Sequence, residues 1–188
     1  MIIDETVFEE VLEKLYEELK SIKLIIYELD KDLALRLIND IERLQVDKCI
    51  VQVLPSTVVA SYEQLLLASL LTFKSLKDNK AVCRKTYMEF LVRLFSNRHV
   101  GKLIKKLQEV SAPKYLLITS CVGEIVAPTI GQELKLTPIS SHELIRRYKM
   151  STNLNDLLRI YDLAISNELN HDLIHKLILS KIALSYLL

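Results

Sequence analysis

His171 and His175 stand four residues apart in Asn170-His171-Asp172-Leu173-Ile174-His175, the spacing that offers two imidazoles from one helix face to a divalent metal. The pattern resembles the zinc-hydrolase motif with Asp172 in place of the general-base glutamate, one methylene short. The remaining histidines, His99 and His142, belong to other elements, so surface imidazoles are expected here and no metal or other cofactor. Cys49, Cys83 and Cys121 have no ligand-like spacing and no base beside them in sequence, and reduced, mostly buried thiols are the expectation. The glycine fingerprints of phosphate loops, dinucleotide folds and nucleophile elbows do not occur, and Gly101 falls inside a predicted helix. No catalytic role is expected.

The charges carry more information. The formal net charge is only +1, so a polyanion would have to be recognised by a local patch. From Lys74 to Lys114 eleven bases face three acids, whereas Asp4 to Lys20 holds seven acids and two bases. Lys102, Lys105 and Lys106 fall at i, i+3 and i+4 on one helix face, with Arg98 in the first turn, where free backbone N–H groups favour a phosphate. Arg84 and Lys85 are expected to join this patch, with His99, and also Tyr87, as stacking candidates for an unpaired base. A solvated lysine face is the plain alternative.

The elements that must position these groups follow from periodicity. Val7, Phe8, Val11, Leu12, Leu15 and Leu19 recur at helical spacing, giving an acidic amphipathic helix within residues 1–20. Leu24 to Leu29 and Cys49 to Leu54 read as strands, with the helical period of Leu33, Leu37, Ile38, Ile41 and Leu44 between them. Ser61 and Gln64 make a capping box for a helix to about Ser75. Thr86 to Phe95 is the longest strand candidate, and Ser96-Asn97 caps the helix that carries the lysines. Tyr115 to Thr119 is a further strand. Ser120 to Ser140 holds most of the glycine and proline, and helices follow: one capped by Ser140 and Glu143, one opened by Asn153, and one from Asn170 onward.

These elements predict a single α+β domain over 1–188: a small, mainly antiparallel sheet packed with helices, closed by a C-terminal helical layer. The opening MIIDETVFEEVLEKL has acids where a signal peptide needs bases, and no apolar run reaches bilayer length, so a cytoplasmic chain without a membrane partner is expected. The last helix ends too apolar for water alone. Leu177, Ile182, Leu184, Tyr186 and Leu187 complete the core or form a patch for a partner.

Lys85 to Leu107, KTYMEFLVRLFSNRHVGKLIKKL, resembles the centre of the p53-related-kinase-binding protein family, the small subunit of the KEOPS complex. Met88, Glu89, Leu91, Val92, Arg93, Ser96, Arg98 and Ile104 carry the likeness, and Leu177, Lys181, Ile182, Ala183 and Leu184 resemble that family's closing helix. His99 stands where glutamine is usual and Asn97 where glycine is frequent. The resemblance implies a non-catalytic accessory subunit in tRNA threonylcarbamoyladenosine synthesis. Such a subunit docks on the complex's atypical kinase/ATPase subunit and recruits tRNA through its 3′ CCA tail. On that expectation Arg84, Lys85, Arg98, Lys102, Lys105 and Lys106 neutralise tRNA phosphates and His99 stacks on a base. A protein-only adaptor of a kinase-like partner, without RNA, is the alternative.

Overall fold

The computed structural model describes residues 17–123, 130–150, 154–163 and 170–185. Most of the acidic N-terminal helix, the helix opening at Asn153, and Tyr186 and Leu187 are expectations that lie outside these residues, in whole or in part.

Three strands form the described sheet: β1 (Ile22–Leu29), β2 (Cys49–Pro55) and β3 (Tyr115–Val122), in the order β1-β3-β2. β3 is antiparallel to both neighbours, with Ile26 and Gln52 opposite Ile118. β1 and β2 therefore run the same way, and α1 (Lys31–Asn39) makes the crossover between them.

Alternation along each strand divides its side chains between two cores. Leu24, Ile26, Ile50, Leu54, Leu116 and Ile118 face the main helical layer. Tyr27, Leu29, Val51, Val53, Tyr115 and Leu117 meet Ala34 and Leu37 of α1. Both faces are covered, which is why the strands read as nearly continuous apolar runs. The outer edge of β1 is blunted by residues 138 and 139: Tyr27 bridges to Pro138, and Ile139 N–H donates to the Ile26 carbonyl at 2.8 Å. Gly131 lies so close to Tyr27 that a Cβ there would overlap the ring.

The main layer begins with α2 (Tyr62–Lys77), whose predicted capping box is present: Ser61 Oγ accepts from Gln64 N–H at 3.1 Å and Gln64 Oε1 accepts from Ser61 N–H. The box is wholly buried and also ties distant segments together. Gln64 Nε2 donates to the Tyr161 hydroxyl, and His175 Nε2 lies 2.7 Å from Ser61 Oγ.

The next element differs from the expected strand. Thr86–Phe95 is a helix, α3, ended by Ser96 in the left-handed region at φ 50°. Tyr87 and every residue from Glu89 to Phe95 are buried, and Tyr87, Phe90, Leu91, Leu94 and Phe95 recur at helical spacing, a period that the strand reading of Met88, Phe90, Val92 and Leu94 as one face passed over. What the helix achieves is the pairing of Glu89 with Arg93, one turn apart at 2.7 Å, with side-chain exposures of 0% and 2%.

α4 (Val100–Gln108) follows, then, after β3, α5 (Ile130–Glu133), α6 (Ser141–Met150), α7 (Asn155–Ile160) and α8 (His171–Leu184). This is the predicted α+β class with its C-terminal helical layer. Ser140 Oγ accepts from Glu143 N–H at 3.2 Å as expected of a cap, but Glu143 spends its carboxylate on Arg146 and Arg147. Those two guanidinium groups hold its carboxyl down at about 2. Asn170 caps α8, accepting from Leu173 N–H at 2.9 Å.

The cysteines require a correction. Cys49 and Cys121 are direct partners across β2 and β3 and are joined by a disulfide. Their separation of 72 residues hides a pairing that only the strand register creates. Cys83 is the remaining thiol, partly buried, its pKa pushed up by burial and then by the Glu89 charge.

Candidate nucleic-acid interface

Ser96 and Asn97 do not cap α4 in the expected way. Ser96 reverses the chain at the end of α3, and Asn97 Oδ1 accepts from His99 N–H at 2.8 Å, which leaves His99 as an N-cap residue without a side-chain bond. The chain thus enters α4 with Arg98 and His99 exposed. Leu103 is fully buried against the helical layer, with Val100, Ile104 and Leu107 partly covered beside it. The opposite face carries Gly101, Lys102 and Lys105 into solvent.

Among the described residues Arg98, Lys102 and Lys105 make no ion pair or side-chain hydrogen bond. Lys106 does: its ammonium pairs with Asp162 at 2.5 Å and donates to the Arg159 carbonyl at 3.2 Å. With Arg159 on Glu109 at 2.9 Å, it fastens α4 to the end of α7. Lys106 is therefore a structural cation in this arrangement, contrary to its expected membership of the patch.

Arg84 and Lys85 are separated from that patch. They precede α3 whereas Arg98 follows it, and the ten residues of α3 place about 15 Å of helix between them. The Lys85 ammonium pairs with Glu42, which also accepts from the Tyr87 hydroxyl at 3.0 Å. Hydrogen bonds from Lys85 and then Tyr87 hold the Glu42 carboxyl below its usual range. Tyr87 is only 4% exposed and is not a stacking platform. Arg84 is exposed. The site expected as one surface is two: Arg98, His99, Lys102 and Lys105 on α4, and Arg84 with a neutralised Lys85 at the far end of α3.

The expected partner surface on α8 is also corrected. Ile182 is fully buried, in line with Ile174 and Ile178 at four-residue spacing. Leu177 and Leu184 are exposed by 38% and 59%, and Leu173, which sequence reasoning missed, by 40%. α8 has two apolar stripes, and the sequence alone does not say which one the core takes.

His171 and His175 are committed within the fold. Both rings pack on Tyr148, with centroids 5.1 and 6.3 Å away, and the Tyr148 hydroxyl donates to the His171 carbonyl at 2.7 Å. Among the described residues no group of three His, Cys, Asp or Glu side chains could hold a metal, and no helix is long and apolar enough to cross a membrane. Models of known protein families and curated proteins yield no match to this chain.

Proposed function

We propose that this chain is a non-catalytic accessory subunit of the KEOPS type, recruiting tRNA through its 3′ CCA tail while docked on the atypical kinase/ATPase subunit. The observation that carries the RNA half is the face of α4, where Arg98, Lys102 and Lys105 are exposed without an acidic partner among the described residues. Unneutralised cations on a rigid helix release counterions when they meet phosphates. His99 at the mouth of the same face supplies a ring for an unpaired base. The docking half is supported by the exposed leucines of α8, which also suit the protein-only adaptor.

Binding of an intact tRNA and of the same tRNA without its 3′ terminal nucleotides, each at two salt concentrations, tests the reading. Loss of affinity on truncation is the expected result. Equal, salt-sensitive binding leaves a general basic surface, and no binding to either RNA leaves the adaptor.

A further inference from the structure

Cys49 and Cys121 face each other where the β2–β3 ladder runs out. Cys49 is the first residue of β2, and beyond it the pairing continues through the bond from Val122 N–H to the Lys48 carbonyl at 3.3 Å. On the other side, every pair from Ile50 with Ser120 to Pro55 with Tyr115 holds the two strands in register, and apolar side chains cover both faces of the sheet. The register is therefore kept by the ladder and the core. With the sulfurs reduced, the same ladder still places the two thiols opposite each other. Proximity of that kind makes reclosure an intramolecular step, so both redox states are folded states of one chain.

The two sulfurs are not equivalent. β3 is the central strand and Cys121 is fully buried, whereas β2 is an outer strand of the described sheet, and Cys49, 2% exposed, lines a cavity of about 280 Å³. Glu42, Val46, Arg84 and Lys85 also line this cavity, and all four are exposed, so it opens to solvent. Glu42 holds the Lys85 ammonium, but Arg84 makes no ion pair or side-chain hydrogen bond among the described residues. Its guanidinium gives the cavity a cation that attracts a thiolate. Cys83 is a poor source of that thiolate, because burial and then the Glu89 charge push its pKa up. The attacking sulfur must come from outside the chain.

We propose that the Cys49–Cys121 bond is a reversible thiol–disulfide switch, opened by a small-molecule thiol that enters this cavity and attacks Cys49. The incoming thiolate bonds to Cys49 Sγ as the S–S bond breaks, and Cys121 leaves as a thiolate that takes up a proton. A second small thiolate then attacks the mixed disulfide at the small-molecule sulfur, and Cys49 leaves and is protonated in turn. The chain gains two electrons and two protons, and two thiols become one small-molecule disulfide. Opening frees the start of β2 and the turn before it, which carries Glu42, the partner of Lys85. The switch thus reaches the Arg84–Lys85 cluster and not the α4 face. The proposal goes beyond the RNA reading and stands without it.

The test uses the full chain under native conditions in buffers of reduced and oxidised glutathione, quenched with iodoacetamide and read by peptide mass spectrometry. A reversible change between disulfide and dithiol is expected across the series, with glutathione trapped on Cys49 in roughly tenfold excess over Cys121. Arg84→Glu should slow opening by roughly three- to tenfold at low salt, because glutathione is an anion, and the difference should shrink at high salt. Arg84 is exposed, so this variant folds. Cys83→Ser should leave rate and equilibrium unchanged. Amide NMR of the reduced chain should show a folded protein, with shifts around Glu42, Cys49, Arg84 and Cys121 and none on α4. The proposal is overturned by a bond that opens only in denaturant, by an unfolded reduced chain, or by a chain that stays dithiol in oxidised glutathione. Glutathione on Cys121 or Cys83 in place of Cys49, or an opening rate indifferent to Arg84→Glu, overturns it as well.

Discussion

α3 and α4 are consecutive helices of one basic stretch, and they treat charge in opposite ways. On α3, Glu89 and Arg93 are removed from water, and every hydrogen bond they make is to this chain. On α4, Lys102 and Lys105 stay in solvent and pair with nothing among the described residues. A buried ion pair recovers its desolvation cost only when every lone pair and proton is matched, and matching them here takes two further segments of the chain. Charge on α3 is consumed in building the fold, whereas charge on α4 is left for something else. Net charge along the sequence does not distinguish the two.

The largest effect should come from breaking the α3 side. Arg93→Met leaves the Glu89 carboxylate buried without its cation and frees the end of α8, and should cost about 3–5 kcal/mol in denaturant unfolding. Adding Glu89→Gln should recover part of that loss, because the amide oxygen still accepts from Val82 and Cys83 while the buried charge is gone. A double variant as unstable as the single one would mean that the bonds to Ser185 and Lys80, not the charge, carry the stability.

On α4 the same chemistry should move binding and spare the fold. Lys102→Ala with Lys105→Ala should leave unfolding within about 0.5 kcal/mol of the parent. The slope of log affinity for tRNA against log salt should fall by roughly two, one for each phosphate that the variant no longer neutralises. An unchanged slope would remove α4 from any RNA interface.

Much of this architecture is legible in the sequence. The strands, the Ser61–Gln64 box and the Asn170 cap are local signals with local causes, and they sit where they are expected. α3 is legible in the helical spacing of Tyr87, Phe90, Leu91, Leu94 and Phe95, a period overshadowed by the aromatic and β-branched content that favoured a strand. A second signal is Glu89 four residues before Arg93, the spacing of an ion pair along one helix face. The Cys49–Cys121 bond and the division of the basic patch depend on register and on the length of α3, which are tertiary facts. Choosing Ile182 over Leu173 for the partner face failed for a related reason: both lie on apolar stripes, and only packing picks the buried one.

Lys106 sharpens the comparison, since it lies on the α4 helix but is used as α3 uses its charges. Lys106→Met should lower stability by at most about 1 kcal/mol, as for a surface pair, and leave the salt slope for tRNA at the parent value. A slope reduced as far as that of Lys102→Ala would show that Lys106 exchanges Asp162 for phosphate, making α4 one continuous patch.

The smallest effect belongs to Lys85, which stands between the two cases: exposed like α4, paired like α3. Its ammonium and the Tyr87 hydroxyl hold the Glu42 carboxyl below the ordinary 4.5, so the folded state favours the ionised form. A depressed carboxyl contributes stability above its unfolded pKa, and that contribution fades as pH falls through the lower folded value. Lys85→Ala should move the Glu42 titration back toward 4.5, followed by NMR of the carboxyl carbon, while the melting temperature at neutral pH hardly changes. Glu42 should also shift when tRNA is added if phosphate can take Lys85 from it. A Glu42 titration indifferent to saturating tRNA would mean that Lys85 stays on Glu42 and would confine RNA binding to the α4 face.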